Sequence, residues 1–409
     1  MHNKLNYTNM INNKFALFCL GFICSGSAYA AAFEQSNQSI QSFFAKNHYA
    51  EVSLAWVRPD ISGQVQHTEE LQQLGITDFS TGNFSRNQFI SNVALKLQLH
   101  PQVSWGLIYD QPYHVDIAYS YDPVFAGEIL PIEAASIQFE SHNLTSLIGF
   151  QPNEHWNFYT GLSYQSLEGN LYLDGQTFYI FNGYQATFEP DSAWGWLAGI
   201  SYQIPEYYFR TSLTYRSAIT HRHKTAESID LGMNPSPYTE IKTPQSVNLD
   251  FQSGIMENTL AFVNVRWVDW SKFSIRPHKF GQLASGLTQA VAGTPRGFDL
   301  IAYDKDQISA TFGVARKLND KFALSLLGGW DSGAGNPTST LGPTEGYWSA
   351  GLGGQYSPTP ATFIQAGARY FWMGDAQAQS ASWFGTERYD ADFKDNTAIG
   401  YSLKIGYKF

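Results

Sequence analysis

Cysteine is nearly absent from this sequence. The chain of 409 residues has two, Cys19 and Cys24, and both lie in an opening segment that reads as an export signal. Lys4 and Lys14 precede a short apolar run, "FALFCLGFI" (Phe15–Ile23), followed by small residues and "AYA" at Ala28–Ala30. A positive start, an apolar run below the ~18 residues of a membrane span and a small-x-small site predict a signal peptide over 1–30. The chain beyond it then carries no thiol, which excludes disulfides and thiolate metal sites.

Charge is also sparse. Charged residues make up 15% of the chain against 16% aromatic, and acids outnumber bases for a formal net charge of −10. Loss of Lys4 and Lys14 with the signal makes the balance two units more negative, and no basic cluster offsets it. Nucleic acid is therefore excluded as a partner. Long apolar runs are missing too, so no transmembrane helix is expected after the signal. No Gly-rich phosphate loop follows a strand and no G-x-S-x-G elbow is present, so neither an enzyme nor a cofactor is expected. "HRH" at His221–His223 offers two imidazoles with no third ligand in view, which does not make a metal site.

The hydrophobic content sits instead in alternating strips. They run over Tyr49–Val57, Gln88–Leu99, Val103–Tyr121, Ser136–Phe150, Trp156–Leu173, Trp194–Ile204 and Tyr207–Thr220. Seven more follow at Ser246–Met256, Thr259–Phe273, Asp306–Lys317, Phe322–Trp330, Tyr347–Tyr356, Ala361–Trp372 and Thr397–Phe409. Tight joins such as "HPQV" (His100–Val103) and "LNDK" (Leu318–Lys321) alternate with long polar segments such as Pro59–Asn87 and His221–Gln245. Short turns at one end and long loops at the other are what a transmembrane barrel requires. The last strip puts Ile399, Tyr401, Leu403, Ile405, Tyr407 and Phe409 on one face and Lys404 and Lys408 on the other. Lysine cannot face lipid cheaply, so that second row should line the lumen.

The pattern predicts an all-β chain: a transmembrane antiparallel β-barrel of about 14 strands over 49–409. It belongs in the bacterial outer membrane, in contact with its lipid, and as a closed barrel it needs no partner subunit, so a monomer is expected.

Several stretches resemble the FadL/TodX family of outer-membrane transporters for hydrophobic compounds. "AAFEQ" (Ala31–Gln35) is similar to that family's mature start, and "WVRPDISG" (Trp56–Gly63) to the end of its first strand. "SAWGWLAGISYQI" with "RTSLTYRSAI" (Ser192–Ile219) resembles its central hairpin. "VDWSKF" (Val268–Phe273) and the stretch from Lys305 to Gly313 fit as well. The resemblance implies a fourteen-stranded barrel plugged by a small N-terminal hatch, here the short segment 31–48. It also implies capture of substrate by external loops, passage to an interior pocket and sideways exit at a kink in the third strand.

Residue roles follow from the resemblance. Phe33 matches a position that reaches into the pocket, and Lys305 matches a basic residue that holds a fatty-acid carboxylate. The arginine expected on the fifth strand falls near Ser166 and is missing. Read from the residues themselves, the loop "TFYIFNGYQATF" (Thr177–Phe188) is expected to expose Phe178, Tyr179 and Phe181 as a capture patch or as part of an aromatic girdle.

The third strip carries a proline at its centre. Val103, Trp105, Leu107 and Tyr109 continue through Gln111 to Tyr113, Val115, Ile117 and Tyr119 in one unbroken apolar phase. Pro112 cannot donate a ladder hydrogen bond. Tyr109, Asp110, Gln111, Pro112 and Tyr113 are therefore expected to form the lateral-opening kink, as a bulge that leaves the register unflipped.

The expected function is passive uptake of hydrophobic compounds, most directly long-chain fatty acids. Uptake of neutral hydrocarbons, alkanes or aromatics, and a general water-filled porin are the alternatives.

Overall fold

The computed structural model describes residues 33–66, 72–73, 80–119, 124–125, 128–129, 135–229, 234–235, 238–380 and 388–409. The signal-peptide expectation over 1–30 and the end of the third strip, Ser120 and Tyr121, lie outside them.

Alternation becomes strand because a barrel wall has lipid on one side and lumen on the other. The barrel strands are β1 (Tyr49–Asp60), β2 (Gln88–His100), β3 (Val103–Asp110 and, after a break, His114–Ala118), β4 (Ser136–Phe150), β5 (Trp156–Leu173), β6 (Tyr184–Ile204) and β7 (Phe209–Arg216). They continue as β8 (Ser246–Met256), β9 (Thr259–Val268), β10 (Gln307–Lys317), β11 (Phe322–Asp331), β12 (Tyr347–Tyr356), β13 (Thr362–Met373) and β14 (Thr397–Lys408). Neighbours pair antiparallel all the way round, and β1 closes on β14 from Tyr49↔Lys408 to Asp60↔Thr397. Closure pairs the two end strands with each other, where free edges would leave amides unsatisfied in lipid at several kcal/mol each.

Facing follows the alternation. Tyr401, Leu403, Ile405 and Tyr407 are exposed on the outer surface, while Lys404 turns inward and sets its Nζ 3.1 Å from Glu51. In β9, Val263 faces out while Asn264 and Arg266 are buried inside.

Three strips differ most in extent: the one expected over Thr259–Phe273 ends as strand at Val268, and two others follow. β6 begins ten residues before the sequence strip, because Pro190 and a bulge between Phe188 and Asp191 mask its alternation. The seventh strip divides: β7 stops at Arg216, and Ile219–His223 pairs instead with Thr239–Thr243.

The third strand corrects the expectation of an unflipped register. Asp110 faces Asn143 and His114 faces Glu140 on β4. Gln111, Pro112 and Tyr113 thus stand opposite only Ser141 and His142, a one-residue bulge. One extra residue exchanges the two faces of everything beyond it. Trp105, Leu107 and Tyr109 face outward, whereas Tyr113, Val115, Ile117 and Tyr119 are buried in the barrel interior. The apolar row that is continuous in sequence crosses the wall at Pro112.

The lumen is filled in two layers. Nearer the short turns it is polar, and the segment Phe33–Ala45 lies across it. Nearer the long loops it is aromatic, roofed by a loop helix α1 (His278–Ala292) that Gly293 ends in a left-handed conformation at φ +70°. Phe43 of the crossing segment fits against the wall because β3 and β4 present glycine there. A Cβ at Gly106 would meet the Phe43 ring at 2.6 Å, and one at Gly149 would meet it at 2.8 Å. Gly106→Val should therefore expel Phe43 and destabilise the protein by about 1–3 kcal/mol. A denaturant midpoint unchanged from wild type would refute this packing role.

Candidate functional site: an aromatic chamber beside an interrupted wall

The chamber is built from residues remote in sequence. Phe33 stacks on Phe139 of β4 at 5.8 Å between centroids and meets Phe273 edge-on at 5.9 Å. Trp270, fully buried in a 3-10 turn after β9, packs on Tyr303 at 5.1 Å, and its indole N–H donates to Gln307 Oε1 at 2.8 Å. Phe188 of β6 adds a further wall against Phe139, 5.2 Å away. Aromatic faces and edges at these spacings are in direct contact and form one apolar cluster inside the barrel.

The break in β3 lies against this cluster, with Tyr113 edge-on to Trp270 at 6.0 Å. β2 and β3 are paired only as far as Val93↔Tyr109. Beyond that, Gln111 holds the two strands by its side chain, whose Oε1 accepts from Ser91 N–H at 3.0 Å and Ser91 Oγ at 3.1 Å. The edge of β3 that β2 abandons is taken by the crossing segment. Gln35 N–H donates to Pro112 O at 2.8 Å, and His114 N–H donates to Phe33 O at 3.0 Å. Tyr113 bonds the other way, to Ser141 on β4. Successive residues of a strand address opposite edges. The N–H that Pro112 lacks would therefore point at the edge that β2 has left, so carrying proline there costs no bond between β2 and β3.

Buried charge fixes the crossing segment. Glu34 forms an ion pair with Arg266 of β9, whose Nε donates to Glu34 Oε2 at 3.2 Å and whose Nη2 donates to Gln38 Oε1 at 3.1 Å. Arg216 of β7 donates to Gln38 O at 2.8 Å, and Asn248 of β8 donates to Asn37 O at 3.0 Å. On the other side Ser36 Oγ donates to Asp110 Oδ2 at 3.2 Å, and Asn143 donates to Asp110 Oδ1 at 2.8 Å. The segment therefore ties β7–β9 to the broken strand across the lumen.

The residues singled out in the sequence fall in three places. Phe33 and the group Tyr109, Asp110, Gln111, Pro112 and Tyr113 come together at the break; Tyr109 Oη lies 2.7 Å from His142 Nδ1 on the outer side. Phe178 and Phe181 are buried, which corrects their expected exposure. Helix α1 covers Phe181, with Phe280 stacked on it at 4.6 Å. The side chain of Tyr179 lies outside the described residues. Lys305 is exposed at the loop end, and its charge acts on Glu345. Burial pushes the Glu345 carboxyl up, while the Gly335 N–H, 3.3 Å from Oε1 and 3.1 Å from Oε2, and the Lys305 charge pull it down. Among the described residues no group of three metal-ligating side chains occurs. His221 and His223 are buried, bonded to Gln165 at 3.1 Å and to Glu189 O at 2.9 Å.

A closed barrel of fourteen antiparallel strands with a segment across its lumen defines an integral outer-membrane protein. The amino-acid sequence agrees: residues 25–409 match the family described as outer membrane protein transport protein (OMPP1/FadL/TodX), and the chain belongs to it. The family consists of transport channels, not enzymes. The fold is similar to that of a Pseudomonas aeruginosa FadL homologue (TM-score 0.66, 13% identity, 94% of this chain and 97% of that one). It is also similar to the P. putida toluene transporter TodX (0.58, 13%, 90% and 91%) and to the CymD monoaromatic hydrocarbon channel (0.53, 10%, 90% of each). No curated protein matches the sequence.

Proposed function

We propose that this protein carries neutral hydrocarbons, aromatic or aliphatic, inward by passive diffusion. The compound enters from the loop end, rests in the aromatic chamber and leaves sideways between β2 and β3. The observation that carries this reading is the abandoned edge of β3 beside the chamber, with Phe33–Gln35 inserted where β2 would pair. In this reading 1–30 is a removed signal and 31–48 is the hatch, which must shift for the lateral path to open. TodX, by its description a toluene transporter, and CymD, a monoaromatic hydrocarbon channel, support the choice of substrate class.

Long-chain fatty acids fit less well. Lys305 is exposed and set against Glu345, and Ser166 stands where the resemblance calls for an arginine. Titration of purified protein with toluene and with a fluorescent fatty acid separates the two. Toluene should bind, and Lys305→Ala should change fatty-acid affinity by less than about fivefold, the range of an exposed ion pair. A loss of an order of magnitude or more on Lys305→Ala would restore the fatty-acid assignment. Steady high ion conductance in planar bilayers would instead favour the water-filled porin.

A further inference from the structure

The backbone ladder of the wall is also interrupted between β6 and the chain that follows β7. The two strands pair from Ile204↔Phe209 to Leu197↔Arg216. Ser217 prolongs the contact, donating its N–H to Trp196 O at 2.9 Å and accepting the Trp196 N–H on Oγ at 3.0 Å. Beyond Ser217 the backbone ladder lapses. Ile219–His223 pairs with Thr239–Thr243 and keeps to β6 through side chains, Arg222 N–H donating to Asp191 Oδ2 at 3.1 Å. The ladder resumes with Glu189 N–H donating to Lys224 O at 3.0 Å and with Phe188↔Thr225. A narrow polar cleft enters the wall at this interruption. Trp196, Ser217 and Pro244 line its outer part, and Gln165, Thr243 and Arg216 its inner part. Its interior has room for about one water-sized group.

Arg216 is 6% exposed and faces this cleft with donors to spare. Its Nη2 is held by Gln38 O, but Nε and Nη1 have no hydrogen-bond partner. Buried N–H groups of a guanidinium are costly to leave unmet. Charge decides which acceptor suits them. Glu34 and Asp110 already offset Arg266 and Arg216 in this part of the lumen. A carboxylate would add a surplus buried negative charge. A neutral oxygen satisfies the donors and leaves the balance intact. The cleft opens among outward aromatic rings, Trp196 with Tyr215 at 5.1 Å and Trp194 with Tyr164 at 5.0 Å. Rings of this kind mark the membrane–water interface, where amphiphiles present their polar ends.

We propose that the β6–β7 cleft binds a neutral, oxygen-bearing lipophile, an alkyl ester or ketone. Its carbonyl oxygen accepts from Arg216 while its chain lies along Trp196 on the outer face. The proposal rests on the reading of the barrel as a carrier of lipophiles; its site enters from the β6–β7 side and meets the aromatic cluster only at its inner end, through Tyr113.

The test is infrared spectroscopy of carbonyl-labelled methyl decanoate with purified protein in detergent, beside binding of decane and decanoate. Wild type should give a carbonyl band shifted down from that in micelles alone, and Arg216→Gln should abolish it. Thr243→Leu fills the cleft from a strand that does not touch Gln38, and it should abolish the band as well. If Arg216→Gln does not fold, judged by heat-modifiable gel migration, Thr243→Leu decides. Decane should bind all three proteins alike; no decane binding to wild type would count against the carrier reading instead. A shifted band absent from wild type, or retained in both folded variants, overturns the proposal. So does stronger binding of decanoate than of its methyl ester that is lost in Arg216→Gln.

Discussion

Deletion of Gln111 should leave a folded barrel that takes up substrate on the order of tenfold more slowly, because the bulge it removes is what separates β3 from β2. The register makes the deletion well tolerated. Three residues, Gln111, Pro112 and Tyr113, now face two on β4, and His114 is already aligned with Glu140. Removing one makes the count two against two without moving any residue after it. Pro112 then points outward, Tyr113 stays inside, and both halves of β3 keep the faces they have. What changes is the wall, since a regular β3 can pair with Gln88–Asn92 of β2 in place of Phe33–Gln35, and Gln111 no longer spaces the strands through Ser91. Uptake of labelled toluene into cells or vesicles at equal amounts of folded protein is the readout. Uptake at the wild-type rate would show that the compound does not leave through this break.

Arg266→Met should cost about 3–5 kcal/mol, the penalty for leaving a buried carboxylate without its partner. Arg266 is 1% exposed and Glu34 4%. When Arg266 is gone, Glu34 keeps no cation in hydrogen-bond contact, and Gln38 and Asn248 each lose a donor. The loss should appear as a lower midpoint in urea and as earlier proteolysis of the segment Phe33–Ala45. The double variant Glu34→Gln, Arg266→Met removes both charges and should recover most of the stability, as replaced buried pairs do. If the single and double variants are equally destabilised, the pair acts through packing and not through charge.

Much of this architecture could be read from period-two alternation alone, because a barrel wall imposes that period on every strand. Lys404, Asn264 and Arg266 could be placed inside for the same reason. The break in β3 shows the limit of such reading. Tyr113, Val115 and Ile117 share a phase with Trp105 and Leu107, and nothing local tells that one extra residue has exchanged the faces; only the partner strand, with two residues opposite three, reveals it. Pro112 gave the place but not the outcome. The aromatic chamber was legible only in part. Phe33 was found through resemblance, but Trp270 and Tyr303 sit in irregular segments whose meeting depends on the closed barrel. Phe181 reads as exposed because the helix that covers it, α1, lies about a hundred residues later in the chain. The Arg216 cleft has no sequence signal at all, since it arises where the ladder between two strands lapses and a third segment, Thr239–Thr243, turns in.

The ladder between β1 and β14 also governs how the molecule comes into being. It joins the first strand of the wall to the last, so twelve residue pairs wait until every intervening strand has been laid down. Until that seam is sealed, both margins present unpaired N–H and C=O groups, each a template for another chain. Residues 33–45 precede β1, yet they finish inside the lumen, bonded to β3, β7, β8 and β9. Threading them in while the seam is still open is simpler than pushing a polar strand through a sealed cylinder. Assembly is then a matter of sequence in time: the strands gather, the leading segment is captured by Arg266 and Arg216, and the margins meet last.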